Sequence, residues 1–317
     1  MSTWHNMSCQ LSEASHQAVV PPNCIGANRL ALGTVQFGMP YGVANIRGQV
    51  SLEQAAAMLD EAQASGIDTL DTAVAYGEAE AVLGRIGVSA FRLISKVPAL
   101  GDHESAVDDW VVAQVEASLT RLKVPCLAGL MLHAPDDLLG PHGIALARGL
   151  QRARDAGLVA RIGLSVYSPE QLELLIDRLP LEILQIPFNV FDRRFSETGW
   201  LDRLTADGVE IHARSAFLQG LLLMPIDRVP SKFLPFRPLI ERWHAWLADE
   251  VPGTLPEQAC IAHVASYTGI ARIVVGADNL AQLQASISAT AAAPFQAPES
   301  LTSPATPLII PSKWNTL

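Results

Sequence analysis

An Asp and a Tyr at the end of a short apolar run mark the first place in this chain where chemistry is expected. Residues 70–77 read Leu-Asp-Thr-Ala-Val-Ala-Tyr-Gly. Asp71 closes a predicted buried strand with Ile67, Thr69 and Leu70, and Tyr76 falls on the turn that follows. Both can therefore face a cleft at the strand's C-terminal end. Taken alone, the stretch reads equally well as an Asp that caps a helix and a Tyr that fills a surface pocket.

Two further apolar runs also end in titratable residues: Phe91-Arg-Leu-Ile-Ser-Lys96 and Leu130-Met-Leu-His133. Runs of this kind suit parallel strands buried on both faces, and barrel enzymes carry their reactive groups at the C-terminal ends of such strands. Together the four residues make a proton-transfer set. An unperturbed Tyr titrates near pH ~10, so Tyr76 keeps its proton at neutral pH and can donate it to a developing alkoxide. The Lys96 ammonium would stabilise the phenolate left behind, and a buried Asp71 would keep that Lys charged. His133 can orient a carbonyl or share the proton, in a tautomer the sequence does not fix. The competing reading is an Asp–Lys salt bridge with unrelated Tyr and His neighbours.

The elements that must position these residues alternate. Strands are predicted near residues 30, 69, 92, 128, 161, 183, 210 and 272, with helical patterns between them. Ser51 and Gln54 form a capping-box pair; Leu52, Ala55, Ala56, Leu59 and Ala62 follow at helical spacing, and Gly66 stops that helix. Further helices are expected over 78–86, 104–122, 143–155, 169–178, 239–249, 256–268 and 279–290. Alternation of this kind implies a parallel sheet, and right-handed crossovers close it into a barrel. The fold class is α/β, a single (β/α)8 TIM barrel over 29–292. Residues 1–28 are expected to form a flexible extension. The Pro- and Ser-rich segment 293–317 is expected to wrap the surface or fray.

Asp71, Tyr76, Lys96 and His133, in this order and setting, resemble the catalytic tetrad of the aldo-keto reductases. The resemblance runs from about residue 30 to 286 and includes Leu32-Gly-Thr34 with Phe37-Gly38, Arg161-Ile-Gly-Leu-Ser165, Leu184-Gln185, Ser215 with Gln219-Gly220-Leu221, and Val275-Gly-Ala277. It implies an NAD(P)H-dependent reductase of small aldehydes or ketones, sugar-type carbonyls among them, with Tyr76 as acid, Lys96 and Asp71 as its tuners and His133 as orienter. By the same resemblance Gly33 and Thr34 line the nicotinamide end of the cofactor site, while Ser165 and Gln185 hold the carboxamide. Arg214, Ser215, Gln219, Gly220, Val275, Gly276, Ala277, Asn279 and Gln282 complete the cofactor contacts. A cofactor-binding regulatory protein with little turnover is the alternative on the same scaffold.

The sequence departs from the family's pattern in three places. Val166 follows the serine where many relatives have Asn. Arg214 stands where an aromatic side chain often stacks on the nicotinamide, although a guanidinium plane can also stack on a ring. Gly276 and Gln282 stand where relatives that grip a 2′-phosphate have Lys and Arg. Asp278 lies between them, and an acid repels a phosphate or accepts a ribose hydroxyl. The turn still opens a helix whose N–H groups suit a phosphate. NADP is favoured by the family's habit, and NAD stays open.

Composition narrows the rest. The chain has 317 residues, 49% hydrophobic and 17% charged, enough for a large core. Its net charge of −10 argues against a nucleic-acid or anionic-membrane surface, since both need clustered cations. The four Cys (Cys9, Cys24, Cys126, Cys260) lack metal-like spacing and read as reduced packing thiols in a cytoplasmic protein. Residues 1–24 do not read as a signal peptide, and no apolar stretch approaches the ~18 residues needed to span a bilayer. No Gly-x-Gly-x-x-Gly fingerprint, metal-ligand cluster or Gly-x-Ser-x-Gly elbow is present. After the strands, Phe188-Asn-Val-Phe191, Arg193, Arg194 and segment 223–238 are expected near the mouth. The two arginines would either hold an anionic substrate or form a solvated turn. Oligomeric state is not legible.

Overall fold

In a computed structural model, the chain is described over residues 24–102 and 105–317. The expected N-terminal extension thus lies almost wholly outside the described residues, as does the expected helix start at residue 104. Eight parallel strands close a barrel in sequence order. They are β1 (Leu30–Gly33), β2 (Thr69–Asp71), β3 (Arg92–Val97), β4 (Gly129–Leu132), β5 (Ile162–Ser165), β6 (Ile183–Pro187), β7 (Glu210–Arg214) and β8 (Ile270–Gly276). Pairing of Leu32 with Val275 and of Gly33 with Gly276 closes the ring between β1 and β8.

Between and after the strands run α1 (Leu52–Ala64), α2 (Ala79–Ile86), α3 (Val107–Leu122), α4 (Gly143–Asp155), α5 (Pro169–Leu175), α6 (Trp200–Ala206), α7 (Arg237–Asp249), α8 (Pro256–Ala265) and α9 (Leu280–Ala289). Local chemistry sets their ends. The Ser51 hydroxyl accepts the Gln54 N–H at 3.2 Å to start α1, and Gly66, at φ +87°, turns the chain out of it. The expected helix over 169–178 ends early, at Leu175.

Strand residues alternate between the helix layer and the barrel interior. Ile94, Ala128, Met131 and Ile183 form a small apolar cluster of their own, apart from the main core. A Cβ on Gly129 would lie 2.9 Å from Ile94 Cδ1, so a glycine is what lets this cluster close. Lys96 and Gln185 each stand two residues further along the strands that carry Ile94 and Ile183. They therefore point the same way, one layer nearer the C-terminal mouth. The apolar plug excludes water from beneath them.

Segment 293–314 lies against the barrel, burying Ala297, Leu301, Leu308, Ile309, Ile310 and Trp314. Trp314 meets Phe233 edge-to-face at 4.7 Å and donates its indole N–H to Leu308 O at 2.8 Å. Cys24 and Cys260 are free thiols. Among the described residues no helix is long and apolar enough to cross a membrane.

Candidate active site

The site assembles at the C-terminal ends of β2, β3 and β6. Lys96, fully buried, donates from Nζ to Asp71 Oδ1 at 2.7 Å, to the Thr72 carbonyl at 3.0 Å and to Tyr76 Oη at 3.4 Å. Three oxygens thus receive the ammonium's three protons, which is what a buried cation requires. Asp71 Oδ2 accepts the Gln185 amide N–H at 2.7 Å, and Gln185 Oε1 accepts the Ser165 hydroxyl at 3.2 Å. The His133 ring meets the Tyr76 ring edge-on, with centroids 5.6 Å apart.

Backbone fit holds Tyr76 in place. The short helix Val35–Gly38 after β1 presses on the turn that carries Tyr76, so closely that a Cβ on Gly38 would overlap the Tyr76 carbonyl oxygen. Gly77, at φ +57°, faces Gly38 from the other side, where a Cβ would lie 2.5 Å from the Gly38 oxygen. Two glycines are needed for this contact. The register Gly33–Asp71 and the Thr34 hydroxyl, which donates to the Asp71 carbonyl at 3.0 Å, tie β1 to the same corner.

Electrostatics follow from burial and these contacts. Burial pushes the Tyr76 phenol above its ordinary value, with Lys96 pulling it down and Asp71 pushing it up. Burial works against the Lys96 ammonium, but the charges and hydrogen bonds of Asp71 and Tyr76 outweigh it, and its pKa is raised. His133 is lowered to about 4 by burial and by the Lys96 charge, so its ring is neutral at pH 7. The site therefore offers a protonated phenol, a charged Lys behind it and a neutral imidazole beside it. Such a set delivers a proton to an oxygen that becomes basic during reaction.

Asp71 and Tyr76 line a cavity of about 690 Å³, together with Gly33, Thr34, Gln185, Arg214, Ser215, Gln219, Gly220, Gly276 and Gln282. Of the expected cofactor contacts, the remaining four lie off its surface. Ser165 sits behind Gln185. Val275 and Ala277 are buried in the core. Asn279 caps α9 by accepting the Gln282 N–H at 3.1 Å.

The Arg214 guanidinium is 4.3 Å from the Tyr167 ring centre and donates to the Val166 carbonyl at 3.0 Å. Ser215, Leu218, Gln219 and Gly220 all have positive φ. Gln219 reaches across the cavity to donate to Tyr41 Oη at 3.0 Å.

The expectation for the β6 loop needs correction. Phe188, Asn189, Val190 and Phe191 are fully buried, and Arg193 is 4% exposed. The Arg193 side chain donates to the carbonyls of Val190, Ala297 and Pro298, while Arg194 pairs with Asp192 at 2.8 Å. Neither arginine lines the cavity that holds Asp71 and Tyr76, and neither forms a solvated turn, because segment 293–314 packs on this loop. Of segment 223–238, Leu223, Met224, Pro225, Arg228 and Pro230 do line the cavity. Gln36 is a cavity residue that the sequence reading passed over. Its only signal is an amide set between the apolar neighbours Val35 and Phe37.

The model of the Aldo/keto reductase family matches residues 29–300. The chain belongs to this family. It is accordingly an oxidoreductase of the carbonyl-reducing kind. Aldo-keto reductase YhdN of Bacillus subtilis is 30% identical over 190 residues, 55% of this chain, and the match spans only about half, 54%, of that relative. L-glyceraldehyde 3-phosphate reductase of Escherichia coli is 26% identical over 261 residues, covering 76% of this chain and 72% of the relative. Among solved structures, the holo form of aldo-keto reductase AKR11C1 from Bacillus halodurans superposes with a TM-score of 0.68 at 21% identity, covering 84% of this chain and 88% of that one. At that identity the likeness speaks for the fold.

Proposed function

We propose that this aldo-keto reductase uses NAD(P)H to reduce a small aldehyde or ketone to the alcohol, with Tyr76 as proton donor. The observation that carries the reading is the Lys96 ammonium, buried and shared between Asp71 and Tyr76 at the edge of the cavity.

The residues fit a nicotinamide dinucleotide. Gly33 and Gly276 line the cavity, and the side-chain oxygen Oε1 of Gln36 is buried there without a partner. Thr34, Gln185, Arg214, Ser215, Gln219 and Gly220 would hold the nucleotide along the cavity. When bound, the reduced nicotinamide supplies the hydride that goes to the carbonyl carbon. Tyr76 Oη donates its proton to the carbonyl oxygen. Lys96 stabilises the phenolate that remains, and Asp71, held by Gln185, keeps the ammonium charged. Neutral His133 orients the carbonyl beside Tyr76. Acid catalysis of this type contributes roughly 10²–10⁴-fold.

A polyhydroxylated, sugar-type carbonyl is the substrate class we favour, supported by the relative named for L-glyceraldehyde 3-phosphate. The test is nucleotide oxidation by the purified chain with 4-nitrobenzaldehyde and with short aldoses. Turnover in the wild type and its loss in Tyr76→Phe support the reading. Equal rates in the two proteins reject it.

A further inference from the structure

Arg214 is a cation that the proton-transfer chemistry leaves unused. It ends β7 and lines the cavity that holds Tyr76. Its guanidinium donates to the Val166 carbonyl at 3.0 Å and to Ser215 Oγ at 3.4 Å, and lies 4.3 Å from the Tyr167 ring centre. None of these partners is a carboxylate, and among the described residues Arg214 forms no ion pair. The backbone beside it is fixed. Ser215 takes φ +62°, uncommon for a residue other than glycine, and its carbonyl accepts the amide of the fully buried Asn189 at 3.1 Å.

Lys96 stands on the opposite strand of the barrel, β3, and Asp71 matches its charge at 2.7 Å. Nothing matches Arg214. The charges that act on His133, beside Tyr76, are those of Lys96, Asp71 and Arg214. Arg228, Glu257 and Asp278 also line the cavity but are not among them. With Tyr76 protonated and His133 neutral, the reacting end of the cavity therefore carries a net positive charge.

Resting on the dinucleotide reading above, we infer that Arg214 makes this site discriminate between the two redox states of the nicotinamide, holding the reduced ring and releasing the oxidised one. A carbonyl that takes a proton from Tyr76 must also meet the nicotinamide, so the ring lies within reach of both cations. The reduced ring is neutral and electron-rich, and a guanidinium plane stacks well on such a face. The oxidised ring is positive, and like charges repel more strongly in a low-dielectric site than in water. Tyr76 keeps the balance during turnover, because it gives up a proton as the ring charge develops. Once Tyr76 recovers a proton from solvent, Arg214 and the oxidised ring face each other without a counter-charge.

The test is calorimetric titration of the full chain with NADH against NAD⁺ and with NADPH against NADP⁺, since within each pair only the ring differs. In whichever pair binds, the oxidised form is expected to bind at least about tenfold more weakly, roughly 1.4 kcal/mol. Arg214→Met and Arg214→Gln should bring the ratio toward one, while Arg214→Lys, which keeps the charge, should preserve most of it. A side chain that merely shaped the pocket would, when replaced, weaken both forms alike. A ratio unchanged in Arg214→Met and Arg214→Gln therefore overturns the inference, as does a ratio equally lost in Arg214→Lys or equal affinity for both forms in the wild type. Failure of all four nucleotides to bind defeats the dinucleotide reading itself, and this inference with it.

Discussion

Gln185, on β6, donates its amide to Asp71, on β2, at 2.7 Å, and so spans the mouth of the barrel between opposite strands. The carboxylate's other oxygen is held by Lys96. With both oxygens engaged, Asp71 keeps its orientation without water, and Lys96 keeps its charge toward Tyr76. Gln185 thus reaches the phenol through two intermediates, as a positioning residue.

Removing the cation leaves a buried carboxylate unpaired. Lys96→Met is expected to destabilise the chain by about 3–5 kcal/mol and to abolish reduction. Adding Asp71→Asn should restore much of the stability and none of the activity. Chemical denaturation of the single and double variants, beside turnover assays, checks this. A double variant as unstable as Lys96→Met would show that the pair is not the source of the loss.

The contact between Gly38 and the Tyr76 turn makes a second prediction. Gly38→Ala would place a Cβ against the Tyr76 carbonyl oxygen, and overpacking of this kind costs about 1–3 kcal/mol. The expected result is a lower kcat with little change in nucleotide affinity, because the turn carrying Tyr76 must shift. An unchanged kcat would mean that the turn tolerates the extra atom.

Acid should destabilise the fold through three histidines. His133 is lowered to about 4, and His212 and His263 to about 3, each chiefly by burial. His212 Nε2 bonds Glu210 Oε1 at 2.9 Å, and His263 Nδ1 accepts the Ala297 N–H at 3.1 Å. Unfolded, each would protonate near ~6.5. Between that value and the folded values the unfolded chain binds more protons, so stability falls as pH is lowered through this window. Each such proton contributes about 1.4 kcal/mol per pH unit. Denaturant titrations from neutral to mildly acidic pH should show the decline, and His263→Gln should flatten it. Constant stability across the window would contradict the burial of these rings in neutral form.

The barrel and the meeting of Asp71, Tyr76, Lys96 and His133 at one end of it were legible because both are written locally. Apolar runs that end in Asp71, Lys96 and His133 carry strand and site in the same few residues. The cavity wall was legible in part. Gly33, Gln185 and Gly276 face the cavity, but Val275 and Ala277 turn into the core, since a one-residue change along a strand end reverses the side chain. Arg194 is held by the neighbouring Asp192 and by the Tyr167 carbonyl. Arg193 misled because two of its partners lie about 100 residues away, in the main chain of segment 293–314, where local composition gives no sign of them. Gln36 was missed for the same reason: it lines the cavity with Gly276, which the barrel brings round from the other end of the chain.

The central claim is that Tyr76 donates the proton. Single-turnover reduction of an aldehyde by nucleotide already bound, followed across pH, tests it most directly. With a raised phenol and a neutral His133, the rate should be flat from about pH 5 to 9. Tyr76→Phe should be at least ~10²-fold slower while binding nucleotide as the wild type does. A rate in Tyr76→Phe within a few-fold of the wild type, or a wild-type rate that titrates with an ordinary histidine, would contradict the account.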